Sequence, residues 1–113
     1  QVAQGLPKTN RKVHVAGNLD ATVKSVAICG GAGASLLEQV SRTDVDVYVT
    51  SDLKYHVTQE FVENYGIALI DISHWAGEWL WLDQGAKLLT QDLGGTLKTQ
   101  VSAINTDPWS VSI

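Results

Sequence analysis

A single cysteine, Cys29, leaves no partner for an internal disulfide, and this usage suits a reducing cytoplasm. No apolar run approaches the roughly 20 residues that span a bilayer, so no membrane partner is expected. No secretory leader pattern opens the chain. Basic residues are scarce: eight Lys and Arg stand against 12 Asp and Glu, for a net charge of −4. Beyond the spaced Lys8, Arg11 and Lys12 there is no basic cluster, which argues against nucleic acid held by phosphate contacts. Methionine is absent altogether. Residues 1–4 read as the tail of an earlier element, so we read the chain as a piece of a longer protein, a processed product being the alternative.

The 113 residues are 44% hydrophobic and 18% charged, which fits one domain with a packed core. A domain of this size buries only about two-thirds of its unfolded surface, so a neighbour would add to its stability. Residues 1–22 are polar and broken by Pro7, Asn10, Gly17, Asn18 and Asp20. They read as a linker returning from an upstream part, with one short strand at 12–16. Residues 23–113 read as an α/β domain. The run Val26-Ala27-Ile28-Cys29 ends a strand buried on both faces, and Gly30-Gly31-Ala32-Gly33 turns the chain into a short helix at 35–41. A second strand covers 45–50. Leu53, Val57, Phe61 and Tyr65 then form one helical stripe, with Gly66 at a left-handed C-cap. A third strand covers 67–72 and a third helix about 75–91, stopped by Gly94-Gly95. Residues 97–104 alternate as an edge strand does. The order β-α-β-α-β-α-β predicts a mainly parallel sheet with helices on both faces.

Ligands of such sheets bind beyond the C-terminal strand ends, which selects three loops. Gly30, Gly31, Gly33 and Ser35 open a helix and form a weak anion-binding candidate. They lack the Lys-Ser/Thr of a P-loop and the dinucleotide spacing, and a tight turn needing positive φ is the preferred reading. Asp52 and His56, four apart, would share the first turn of the second helix. An N-cap Asp beside an exposed His is the preferred account of that pair, a proton-moving or ligand-orienting couple the alternative. His74 and Glu78 are also four apart at a helix start. An imidazole and a carboxylate on one face suit Zn, Fe, Mn, Co or Ni, the plain alternative being an i,i+4 hydrogen-bonded pair. Two ligands do not hold a metal, so others must come from missing sequence, a partner subunit, or Asp52 and His56. Trp75 and Trp79, with Leu82, Ala86 and Leu89, read as a stripe for core or interface packing, preferred to substrate stacking. His14 stands alone in a polar stretch, and Cys29 reads as a small buried hydrophobe.

Taken in order, Val26-Ala27-Ile28-Cys29-Gly30-Gly31-Ala32-Gly33, Val49-Thr50-Ser51-Asp52-Leu53-Lys54-Tyr55-His56, His74-Trp75-Ala76-Gly77-Glu78 and Ile104-Asn105-Thr106-Asp107-Pro108-Trp109 resemble the C-terminal part of the NIF-three-like dinuclear metal-centre proteins. That family carries the label GTP cyclohydrolase type-2 homologue. The resemblance implies two divalent metal ions held by five ligands. His74 and Glu78 match two of these, and two histidines and an aspartate belong to an N-terminal half. It implies that Asp52 and His56 border the metal pocket, and that the protein forms ring-shaped hexamers. A dinuclear-metal-dependent hydrolase acting on a nucleotide-like or phosphorylated substrate is the expected function. A non-catalytic metal-binding scaffold or interaction protein is the alternative, and a metal-free nucleotide-binding domain a weaker third. The family usually has Gly at the positions of Ser51 and Ser73, and Ser or Thr at Gly77, so positive-φ strain is expected at the two serines.

Overall fold

The computed structural model describes residues 2–113 and includes a one-turn helix, α1 (Val2–Gly5), ahead of the sheet. Its frame is a four-stranded sheet in the order β1 (His14–Ala16), β4 (Ala68–Ile72), β3 (Val47–Ser51), β2 (Val26–Ala32). Strands β2, β3 and β4 run parallel, and β1 pairs antiparallel with β4. The expected mainly parallel α/β sheet is therefore present. The short strand expected at 12–16 narrows to three residues, and it makes the segment read as a linker one edge of the sheet.

β3 is buried along its whole length, as a central strand must be. Its side chains alternate between two cores. Tyr48 faces Leu37, Val40, Phe61, Ile67 and Leu69 on one side of the sheet. Val47 and Val49 face Ile72, Leu6 and Val13 on the other. The first core is closed by α2 (Leu37–Val40), entered through a 3₁₀ turn at Ala34–Leu36, and by α3 (Tyr55–Tyr65). On α3, Phe61 is buried, Leu53 and Val57 pack beside the core, and Tyr65 tilts on Phe61 with ring centroids 5.1 Å apart. Gly66 ends the helix at φ 68°, as its position predicts. Helix α4 (His74–Trp79) packs on β2 and β3.

Four expectations need correction. Gly30, Gly31 and Ala32 lie inside β2, not in a turn after it, and the pairing with β3 shifts register between Ile28 and Ala32. Just past the strand, glycine lets β3 side chains approach: a Cβ on Gly33 would lie 2.2 Å from both Tyr48 Oη and Thr50 Oγ1. The helix expected at 75–91 is two helices, α4 and α5 (Leu82–Asp92). At the break Trp81 N–H donates to Glu78 O, an i to i−3 bond, and the Trp81 indole lies beside Gly30. Residues 97–104 form no strand. Gly94 and Gly95, at φ 59° and 74°, turn the chain, and the alternating residues beyond them lie mostly exposed outside the sheet. Finally, the stripe on α5 is not core: that helix buries no residue, and Leu82 and Leu89 are exposed. The radius of gyration, 16.2 Å against about 13 Å for a compact domain of this length, reflects this open packing.

Candidate metal centre

The parallel strands bring three loops to one edge. β2 ends beside Gly31, β3 ends at Ser51 and leads into Asp52, and β4 ends at Ile72 and leads through Ser73 into His74. Ser73 caps α4, its hydroxyl oxygen accepting from Ala76 N–H at 3.3 Å and donating to the Asp107 carboxylate. Helical spacing then sets His74 and Glu78 on one face, with Nε2 3.2 Å from Oε1. Both are well exposed, at 44% and 60%. They sit against the backbone of β2: a Cβ on Gly31, at φ 72°, would lie 2.7 Å from Glu78 Oε1 and 3.3 Å from His74 Nε2.

Asp52 does not cap α3. The helix starts from Lys54, with no side chain bonding its first N–H groups. Asp52 instead takes a left-handed conformation, φ 58°, alone among the described non-glycine residues. That turn aims its carboxylate at His74, Oδ2 lying 2.5 Å from Nδ1. Oδ1 accepts from Arg11 Nη1 at 3.3 Å, and Arg11 Nη2 donates to Asp71 Oδ2 at 2.5 Å. Asp71 also accepts from Leu53 N–H at 3.4 Å and faces His14 Nδ1 at 3.7 Å. The site is thus a chain of groups running Asp71, Arg11, Asp52, His74, Glu78. The hydrogen bond that Asp52 accepts raises the pKa of His74; burial opposes it, and the charges of Glu78 and Asp52 add to it.

His56 does not share a face with Asp52, which precedes the helix. It is exposed on α3, edge-on to Tyr55 with centroids 5.5 Å apart, and has no side-chain hydrogen bond or ion pair among the described residues. The glycine loop is occupied by packing, its Gly31 and Gly33 carbonyls accepting from Thr50 and Tyr48 hydroxyls at 3.0 and 3.1 Å, while Ser35 is exposed. The strain expected at the serines is absent. Ser73 has φ −59°, Ser51 is not left-handed, and the positive φ falls one residue later on Asp52. Ser51 Oγ is buried without a hydrogen-bond partner, as is Arg11 Nε. Sequence reasoning gave no role to Asp71, Arg11 or His14. An acid at the end of the apolar strand Ala-Leu-Ile-Asp-Ile was a usable signal, because a buried carboxylate demands a partner.

Two donor atoms sharing one metal at about 2.0–2.2 Å lie about 3.0–3.4 Å apart, so the Nε2–Oε1 separation suits a common ion. The space left by the missing Cβ of Gly31 borders both atoms. Among the described residues no group of three His, Cys, Asp or Glu could hold a metal, so the pair by itself offers two donors and no complete metal-binding set.

A profile of the Duf34/NIF3 (NGG1p interacting factor 3) family matches residues 1–108. A Mycobacterium tuberculosis protein named GTP cyclohydrolase 1 type 2 homolog is 45% identical over 106 residues, covering 94% of this chain and 28% of its own length. The Streptomyces coelicolor protein of the same name is 39% identical over 116 residues, covering 100% of this chain and 41% of its own length. The crystal structure of Staphylococcus aureus protein SA1388 superposes with a TM-score of 0.77 at 30% identity, over 89% of this chain and 33% of that one. A Bacillus cereus protein related to NIF3 gives 0.77 at 29% identity, over 88% of this chain and 28% of that one. The chain thus spans well under half the length of these relatives. It belongs to the Duf34/NIF3 (NGG1p interacting factor 3) family.

Proposed function

We propose that this chain contributes His74 and Glu78 to a dinuclear divalent-metal centre, of Zn, Fe, Mn, Co or Ni, completed by residues outside it. The observation that carries this reading is the pair itself: two donor atoms 3.2 Å apart, both exposed, with His74 oriented by a carboxylate on its other nitrogen. A histidine ligand commonly donates its second N–H to a carboxylate, which fixes the tautomer and leaves the far nitrogen's lone pair free. Asp52 occupies that position. The longer protein would supply the remaining ligands; the hexamer implied by the resemblance and the cytoplasmic setting suggested by the single cysteine belong to the same proposal.

The activity we propose is hydrolysis of a nucleotide-like or phosphorylated substrate, in keeping with the GTP cyclohydrolase naming of the relatives. Bound metal would activate water and stabilise the developing oxyanion. Glu78 and neutral His74 serve as donors, and Asp52 holds the ring. With Asp52 committed to His74 and Arg11, His56 is the chain's remaining candidate for an acid or base, and it would act only if substrate or another segment closes toward α3.

The test is metal content and GTP turnover in the full-length protein and its His74→Ala variant. Loss of both is expected. Unchanged metal content would overturn the metal reading. Metal loss without any nucleotide turnover in the wild type would instead favour a non-catalytic scaffold. The 113-residue chain alone should bind Zn²⁺ weakly, and sub-micromolar affinity would contradict the partial site.

A further inference from the structure

The segment before β1 carries a residue that reaches the metal face without touching it. Arg11 lies 41 residues from Asp52 and 60 from Asp71, yet its two terminal nitrogens bind one carboxylate each. Its side chain is 19% exposed and that of Asp71 12%, so this half of the network is largely out of water, whereas Asp52 is 42% exposed. Asp52 itself sits in a left-handed conformation that a non-glycine residue adopts only at a cost. Two contacts of its carboxylate hold it there, Arg11 Nη1 on one oxygen and His74 Nδ1 on the other.

We propose that Arg11 is a positioning residue for the metal site: by anchoring Asp52 to the buried Asp71, it keeps His74 in the tautomer whose Nε2 is free to ligate. The inference rests on the proposed metal role of His74, but the geometry of the relay stands apart from it. The planar guanidinium suits this task because it presents two donors at a fixed separation, which a lysine ammonium does not. Without Arg11, Asp52 keeps only its exposed contact to His74, and the carboxylate can turn away into water. His74 then loses the acceptor that holds its proton on Nδ1. The neighbours of Asp71 do not replace Arg11: His14 Nδ1 stands 3.7 Å away, and Leu53 N–H at 3.4 Å.

The experiment reads the imidazole nitrogens of His74 by long-range ¹H–¹⁵N NMR on the 113-residue protein at about pH 9, where an imidazole is neutral. The wild type should show the proton on Nδ1. Arg11→Gln should move a substantial fraction to Nε2, and should raise the Zn²⁺ concentration for half-saturation of the His74 signals about tenfold. A merely structural role for Arg11 would lower stability without moving the tautomer. Should Arg11→Gln fail to fold because Asp71 is left unpaired, the double variant Arg11→Gln/Asp71→Asn removes that burden and is read in the same way. A folded variant that keeps the proton on Nδ1 overturns the proposal. His74→Ala separates the two readings: if its Zn²⁺ binding equals wild type, the metal role fails, while the tautomer result still decides the part played by Arg11.

Discussion

Asp52 Oδ2 stands 2.5 Å from His74 Nδ1, and this contact joins the turn after β3 to the first residue of α4. It raises the pKa of His74. A raised folded-state pKa contributes stability below the unfolded value of about 6.5 and loses it as pH rises through the folded value. Asp52→Asn keeps a residue that tolerates positive φ but removes the charge. It should lower the His74 pKa in an NMR titration and destabilise the protein near pH 6 more than near pH 9. Both side chains are over 40% exposed, so the effect should stay within about 1 kcal/mol. Metal binding should weaken as pH falls through the same titration, because only the neutral ring ligates. Equal urea midpoints for the two proteins at both pH values would count against the contact.

Gly31 and Gly66 both have positive φ, 72° and 68°, and differ in surroundings. A Cβ on Gly66 meets nothing within 4 Å, whereas one on Gly31 meets Glu78 Oε1 at 2.7 Å. Gly66→Ala should cost only the backbone strain, about 1 kcal/mol. Gly31→Ala should cost that and also push Glu78 from His74. Urea unfolding measures the first term, and Zn²⁺ titration followed at His74 the second. Gly66→Ala should leave the titration unchanged, and Gly31→Ala should weaken it.

Ser51 Oγ is buried with no partner among the described residues. An unmade hydrogen bond in the interior costs about 1–3 kcal/mol. Ser51→Ala removes the hydroxyl and keeps the extended strand, so it should be neutral or stabilising by up to about 1 kcal/mol. A clear loss of stability in urea would mean that the hydroxyl has a partner in solution.

Asp46 ties the starts of β2 and β3 together. Its Oδ2 accepts from Lys24 N–H at 2.7 Å, Ser25 N–H at 2.8 Å and Ser25 Oγ at 3.1 Å. The Lys24 backbone bond, then those of Ser25, hold its pKa below the ordinary carboxylate value. A depressed pKa contributes stability above the unfolded value and loses it as pH falls through the folded one. Asp46→Ala should therefore be less stable than wild type at pH 7, with the gap closing in acid. A gap that persists below the folded pKa would point to lost packing instead.

How much of this was legible in the sequence follows from what spacing encodes. The apolar runs of β3 and β4, the four-residue stripe of α3 and the Gly66 cap are local patterns, and the fold contains them. The His74–Glu78 pair was readable because both residues do lie in one helix. The Asp52–His56 pair was misread because i,i+4 spacing implies a shared face only inside a helix, and α3 begins at Tyr55. The actual partner of Asp52 is 22 residues away, and Arg11 is 60 from Asp71; no periodicity reports contacts of that range. Alternation at 97–104 signals only half-burial, and a strand also needs an edge to pair with.

The C-terminal segment nonetheless holds the site from behind. Asp107 accepts from the Ser73 hydroxyl, Asn105 Nδ2 donates to Lys8 O at 3.1 Å, and Trp79 Nε1 donates to Ser102 O at 2.8 Å. Asn10 Nδ2 reaches Trp109 O and Ser110 O at 2.9 and 2.8 Å. Ser73 is thus both the cap of the helix that carries His74 and the anchor of this strap. Ser73→Ala removes both bonds and should cost about 1–2 kcal/mol, the usual range for a lost N-cap. Asp107→Asn keeps the cap and weakens only the strap. It should cost less in urea, yet like Ser73→Ala it should speed proteolysis within residues 96–110. If Ser73→Ala loses stability while its cleavage rate stays at the wild-type level, the cap matters and the strap does not hold the segment.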